Sequence, residues 1–167
     1  MATAAVLGAG SWGTALAIQL SRNGHKVAVW DCDQKLITAL QLERSNQRYL
    51  PGHPFPASLS VVHDLATTIE GVDFILAVVP SYAMRTICEQ LTQQNFIKKF
   101  IWATKGFEKK SKMLMHQVVS EVLGKDTQCA VLSGPSFAKE VANNSPTAIT
   151  LASKDLAYAK DLAVCFH

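Results

Sequence analysis

Apolar positions along the chain fall into short uninterrupted runs, each followed by a stretch with helical spacing. The runs lie at 4–7 (AAVL), 27–30 (VAVW), 59–62 (LSVV), 73–79 (DFILAVV), 100–104 (FIWAT), 128–132 (QCAVL) and 147–151 (TAITL). Strand alternating with helix predicts parallel pairing, with helices on both faces of one sheet. DFILAVV above all is continuously apolar rather than alternating, as expected where both faces of a parallel sheet are covered. The expected fold class is α/β, a doubly wound and mostly parallel sheet of about seven strands.

Helices are predicted at 12–22, 34–43, 64–70, 82–93, 112–123, 137–143 and 154–167. The first carries Ala15, Leu16, Ile18 and Leu20 around most of its circumference, which predicts burial, and Asn23-Gly24 supplies a left-handed residue to close it. Residues 44–58 (RSNQRYLPGHPFPAS) hold three prolines and a glycine, so they read as a long connection, of a length that often touches ligand. The last helical stretch stops at His167 without Gly, Pro or a polar tail, so a truncated chain is expected.

At 167 residues the chain suits one well-buried domain and is short for two. A formal net charge of +3 with scattered Lys and Arg is too mild to indicate nucleic acid. Cys32, Cys88, Cys129 and Cys165 form no C-x-x-C pair, so neither a zinc site nor a disulfide framework is suggested and reduced thiols are expected. No charged n-region precedes Val6, and no apolar run approaches the roughly 20 residues of a membrane helix. A soluble, unprocessed, cytoplasmic protein is the expectation.

The decisive stretch is GAGSWG at 8–13, a G-x-G-x-x-G that follows a strand, opens a helix and lies inside a strand-helix-strand unit. That context reads as a Rossmann-type dinucleotide fingerprint. Gly8 permits the tight turn, Gly10 lets the backbone approach a pyrophosphate, and Gly13 lets the helix pack close to the strand. Free amides around Ser11 and Trp12 then face the phosphates with the helix dipole behind them. Trp12 either shields that pocket or packs on its own domain. Asp31 stands where an acidic residue binds the adenosine ribose hydroxyls, favouring NAD over NADP, with helix capping as its alternative role. Lys35, Arg44 or Arg48 would compensate for a 2′-phosphate if Asp31 turned away.

Three further segments lie at predicted strand ends. VVPS at 78–81 puts Pro80 and Ser81 at the crevice, Ser81 with a simpler role as helix cap. WATKG at 102–106 leaves Lys105 beside the same crevice, where it either meets phosphate or is merely solvated. In SGPSFAKEV at 133–141, Gly134 reads as a helix cap and Pro135 as the first helical residue. The amides of Ser136, Phe137 and Ala138 would then be free for an anion, or belong to an ordinary capped helix. No carboxylate pair, His and Cys cluster or G-x-S-x-G elbow appears, so hydrolytic, metal-dependent and thiol chemistry lack support.

GAGSWGTALA, YLPG at 49–52, VVPS, WATKG and SGPSFAKEV, in this order, resemble the bacterial type of NAD(P)-dependent glycerol-3-phosphate dehydrogenases over essentially the whole chain. The resemblance implies an oxidoreductase of the cytoplasm that interconverts dihydroxyacetone phosphate and sn-glycerol 3-phosphate with NAD or NADP, feeding glycerophospholipid synthesis. It implies coenzyme contacts at Ser11, Trp12, Cys32, Tyr49, Lys105 and Ala138, and substrate contacts at Lys105, Gly134 and Ser136. Family members often have a glycine and then His or Arg where this chain has Asp31 and Cys32. The family's general acid/base lysine sits in a later G-A-x-K-N motif on an all-helical second domain, which nothing in residues 1–167 matches. The implied partners are a small-molecule substrate, no nucleic acid and no membrane, with a homodimer allowed. The rival readings are a non-catalytic NAD(H)-binding regulatory module and an oxidoreductase of the same superfamily acting on a hydroxyacid or sugar nucleotide.

Overall fold

The computed structural model describes residues 1–95 and 99–167. In chain order the first half contains β1 (Thr3–Leu7), α1 (Ser11–Arg22), β2 (Lys26–Trp30), α2 (Gln34–Glu43), β3 (Ser45–Asn46), β4 (Leu50–Pro54), β5 (Leu59–Val61) and α3 (Leu65–Ile69). The second half contains β6 (Phe74–Ala77), α4 (Met84–Gln93), β7 (Lys99–Trp102), α5 (Met115–Val122), β8 (Cys129–Ser133), α6 (Ala138–Ala142), β9 (Thr150–Ala152) and α7 (Leu156–Phe166).

Seven strands form one sheet in the order β5-β2-β1-β6-β7-β8-β9, parallel throughout except where β9 runs against β8. The order reverses between β1 and β6, so the switch point where doubly wound sheets bind ligands opens beyond Leu7 and Ala77. The continuous apolar runs have the expected cause. Ala4, Val6, Phe74, Leu76 and Ile101 enter one core with α1, α2, α6 and α7. Their alternates Ala5, Leu7, Ile75, Ala77 and Phe100 enter a second core with α3, α4 and α5.

Helix ends follow local chemistry. α1 closes where Gly24 takes φ +86° and His25 N–H reaches Leu20 O, as its sequence predicts. Asp33 caps α2 by accepting from Lys35 and Leu36 N–H, and Asp64 caps α3 by accepting from Thr67 N–H. Some predicted boundaries shift. The helix expected at 82–93 starts at Met84 because residues 80–83 make a turn, Ala83 N–H to Pro80 O, and the N-cap is Ala83 rather than Ser81. That expected at 112–123 starts at Met115, since Phe107 and Leu114 bridge across a loop in which Lys112 takes φ +63°.

The long connection at 44–58 is not helical, as its prolines require, and it folds into the antiparallel hairpin β3-β4. Arg44 fastens it, donating to the Pro56 and Leu59 carbonyls while its guanidinium lies over Phe55. The hairpin thereby crosses the start of α1 rather than hanging free.

The three fingerprint glycines have separable physical reasons. Gly8 takes φ +111°, and a Cβ there would stand 2.5 Å from Val78 O. A Cβ on Gly13 would stand 1.9 Å from Gly8 O, whereas one on Gly10 would meet nothing within 4 Å. Gly13→Ala is therefore expected to destabilise the chain by about 3 kcal/mol through backbone overpacking. Gly10→Ala should cost less than about 1 kcal/mol, since it changes only an N-cap in ordinary φ. Urea unfolding of the two variants checks this contrast.

Candidate functional site

The turn from β1 into α1 forms the floor of the crevice. The first intrahelical bond is Thr14 N–H to Gly10 O, so the amides of Ser11, Trp12 and Gly13 precede the helical ladder. No acidic residue occupies the first turn of α1, so the positive end of its dipole is not countered there. Open space at Gly10 lies next to these donors. Such a turn can take a bridging anion such as a pyrophosphate.

Ala9, in the middle of the turn, is held from both sides. Its N–H donates to Asp31 Oδ2 at 2.7 Å, and its carbonyl accepts from Asn46 Nδ2 at 2.8 Å. Asp31 Oδ1 also accepts Asp33 N–H at 3.0 Å. The capping alternative for Asp31 is thus corrected. Asp33 caps α2 because its carboxylate is two residues closer to the orphan amides, and Asp31 instead ties the end of β2 to the glycine turn.

Asn46 is fully buried, and its side chain also donates to Thr14 Oγ1 and accepts Tyr49 N–H. Sequence reasoning did not single it out, because a lone Asn in a proline-rich connection carries no pattern. Around it, Ser11 Oγ donates to Tyr49 O at 2.6 Å. Trp12 is half-buried against the core beneath α1, so its packing alternative is realised. Tyr49 is exposed with the Arg48 guanidinium 4.9 Å from its ring centroid, and Arg48 also pairs with Asp33 at 3.2 Å. Cys32 is exposed, and partial burial and then Asp31 push its thiol pKa up, away from nucleophilic use.

Lys105 is exposed three residues beyond β7, while Thr104 Oγ1 donates to Val79 O at 2.6 Å and joins the two strand ends next to exposed Pro80. The loop after Lys105 is fixed by charge. Arg85 on α4 grips Glu108 bidentately at 2.7 and 3.0 Å and reaches Glu121 on α5 at 2.8 Å. Ser111 Oγ adds a short bond to Glu108. The Arg85 and then Ser111 hydrogen bonds hold the Glu108 carboxyl down at about 2. A groove of about 1090 Å³ between α5, β8 and β9 begins at Thr104 and Gly106, on either side of Lys105.

The second helix start lies later than expected. Gly134 is not a helix cap and Pro135 is not the first helical residue, since α6 begins at Ala138. The reason is packing: a Cβ on Gly134 would stand 2.5 Å from Ala148 O, so this glycine admits the chain entering β9. Phe137 N–H is not free but donates to Glu140 Oε2, whose charge also sits in the first turn. Ser136 Oγ, by contrast, is buried with no hydrogen-bond partner among the described residues.

The profile of the NAD-dependent glycerol-3-phosphate dehydrogenase N-terminus matches residues 3–159. The chain belongs to that family. It is 47% identical over 99% of its length to a glycerol-3-phosphate dehydrogenase (NAD(P)+) of Hydrogenovibrio crunogenus, of which it covers 49%. The same identity and coverage hold for the corresponding enzyme of an Enterobacter species. A crystal structure of glycerol-3-phosphate dehydrogenase from Coxiella burnetii superposes with a TM-score of 0.92 at 44% identity, over 99% of this chain and 51% of that one. The chain therefore spans about half the length of these relatives. Among the described residues no helix is long and apolar enough to cross a membrane, and no cluster of three His, Cys, Asp or Glu could hold a metal ion.

Two predictions follow from these contacts. Asn46→Ala strands the Tyr49 amide and leaves the Ala9 carbonyl only the 3.4 Å bond from Thr14 Oγ1, and should cost about 2 kcal/mol in chemical denaturation. The depressed Glu108 pKa contributes stability that is complete above its ordinary value of 4.5 and lost as pH falls toward about 2. In Arg85→Met the carboxyl returns toward its ordinary range, so the fall in unfolding free energy across that window should be shallower than in the unsubstituted chain. Urea titrations at several acid pH values measure it.

Proposed function

We propose that the chain is the dinucleotide-binding domain of an NAD(P)-dependent glycerol-3-phosphate dehydrogenase, interconverting dihydroxyacetone phosphate and sn-glycerol 3-phosphate in the cytoplasm and supplying glycerophospholipid synthesis. The observation that carries this reading is the glycine turn itself, with open space at Gly10 and Ala9 bonded on both sides. The matched relatives carry the named activity.

When bound, the nicotinamide supplies the hydride; the protein binds, orients and polarises. The Ser11, Trp12 and Gly13 amides hold the pyrophosphate at the positive end of α1. Asp31 keeps lone pairs for ribose hydroxyls after accepting from Ala9 and Asp33, which favours NAD. Cys32 and Tyr49 line the adenosine side, and Pro80 and Ala138 approach the coenzyme from the far strand ends. The Lys105 ammonium serves coenzyme and substrate phosphate together, and Gly134 and the unpartnered Ser136 hydroxyl serve the substrate. The acid/base lysine belongs to an all-helical second domain outside these 167 residues, so this chain binds coenzyme without turning over substrate. Nothing in this reading depends on a homodimer.

Calorimetry should give saturable binding of NADH, and steady-state assays with dihydroxyacetone phosphate should give negligible turnover. Gly10→Val should weaken NADH binding by at least about tenfold, about 1.4 kcal/mol, with a smaller change in unfolding midpoint than Gly13→Ala. Absence of binding by the unsubstituted chain, or NADH affinity unchanged in Gly10→Val, would falsify the assignment.

A further inference from the structure

Of the three cations near the adenosine end, Arg44 is consumed by the hairpin, with both terminal nitrogens on main-chain carbonyls. Lys35 is exposed in the first turn of α2, and its N–H serves the Asp33 cap. Arg48 differs. Its guanidinium is anchored over the Tyr49 ring, and Tyr49 is itself tied to the start of α1 through Ser11. Its ion pair to Asp33, the one it makes among the described residues, is solvent-facing, with side chains 61% and 41% exposed. Asp33 in turn donates its N–H to Asp31, which closes a chain of contacts around the place where an acidic residue at the end of the second strand meets the ribose.

We propose that Arg48 reads the 2′ position of the coenzyme's adenosine ribose, resting on Asp33 with NAD and pairing with the 2′-phosphate of NADP. The proposal rests on the dinucleotide reading above. Asp31 cannot easily turn away, because both of its oxygens hold backbone amides, so it remains a fixed repulsion against the extra phosphate. Arg48 supplies the offset. An exposed Arg–carboxylate pair is held weakly, and a phosphomonoester offers more charge and three acceptor oxygens to the same planar fork. The exchange needs no backbone movement, since the Asp33 cap on α2 uses Oδ1 whereas the pair with Arg48 uses Oδ2. Tolerance for NADP and preference for NAD thus reside in different side chains, Arg48 and Asp31.

The test is titration of the 167-residue chain with NADH and with NADPH, in the unsubstituted form and as Arg48→Ala, Arg48→Lys, Asp33→Asn and Lys35→Ala. Arg48→Ala should raise the NADPH dissociation constant about tenfold while NADH stays within about twofold. Arg48→Lys, which keeps charge without the fork, should fall between. Asp33→Asn, which keeps a capping oxygen and removes the competing charge, should tighten NADPH selectively. Equal weakening of both coenzymes by Arg48→Ala, or a selective NADPH loss in Lys35→Ala instead, overturns the assignment while leaving the dinucleotide reading intact. Failure of the unsubstituted chain to bind either coenzyme removes both.

Discussion

The structure depends on one close approach, the contact between the first turn of α1 and the carbonyl of Gly8. A methyl group at Gly13 would overlap that oxygen at 1.9 Å, so helix and strand can meet here only without side chains. The contact does more than pack. It brings the start of α1 to the strand end at the switch point of the sheet, where the amides of Ser11, Trp12 and Gly13 face outward. A helix displaced by the width of a methyl would aim the same donors elsewhere.

Close approach alone leaves the turn free to flex, and the second level of construction removes that freedom. Ala9 gives its N–H to a carboxylate from β2 and its carbonyl to a buried amide from β3. These two side chains come from segments 22 and 37 residues away, so the local conformation of a tripeptide is set by long-range structure. A site ordered before its ligand arrives loses less entropy on binding. Asp31 therefore has one duty within the protein, fixing the turn, beside the ribose contact proposed for it.

Much of this was legible in the chain. The apolar runs gave the sheet and both of its faces, because burial on two sides leaves an unmistakable pattern. The glycine spacing gave the turn, because Gly8 and Gly13 answer to steric needs that no other residue meets. What escaped was set by tertiary contact. Asn46 is buried only because a proline-rich hairpin folds over α1, and no periodicity marks it. The Arg85, Glu108 and Glu121 network joins residues from three segments whose meeting depends on how α4 and α5 pack. The helix expected at 137–143 forms as α6, but its cap was misplaced at Gly134-Pro135 because Gly134 answers to β9, a strand that lies later in sequence.

That misplacement bears on where negative charge is received. The helices that follow the parallel strands all begin at one edge of the sheet, α1 after β1 and α6 after β8 among them, and amide direction alone would make these two equivalent. Side chains break the tie. α1 starts with no carboxylate in its first turn, twelve residues of aligned dipole and open space at Gly10. α6 is five residues long, carries Glu140 in its first turn and has already given the Phe137 amide to that carboxylate. Of these two termini α1 is thus the more receptive to an anion, which supports the pyrophosphate position proposed above. In the proposed reading the exposed Lys105 beyond β7 and the unpartnered Ser136 hydroxyl beyond β8 then remain for a smaller phosphate.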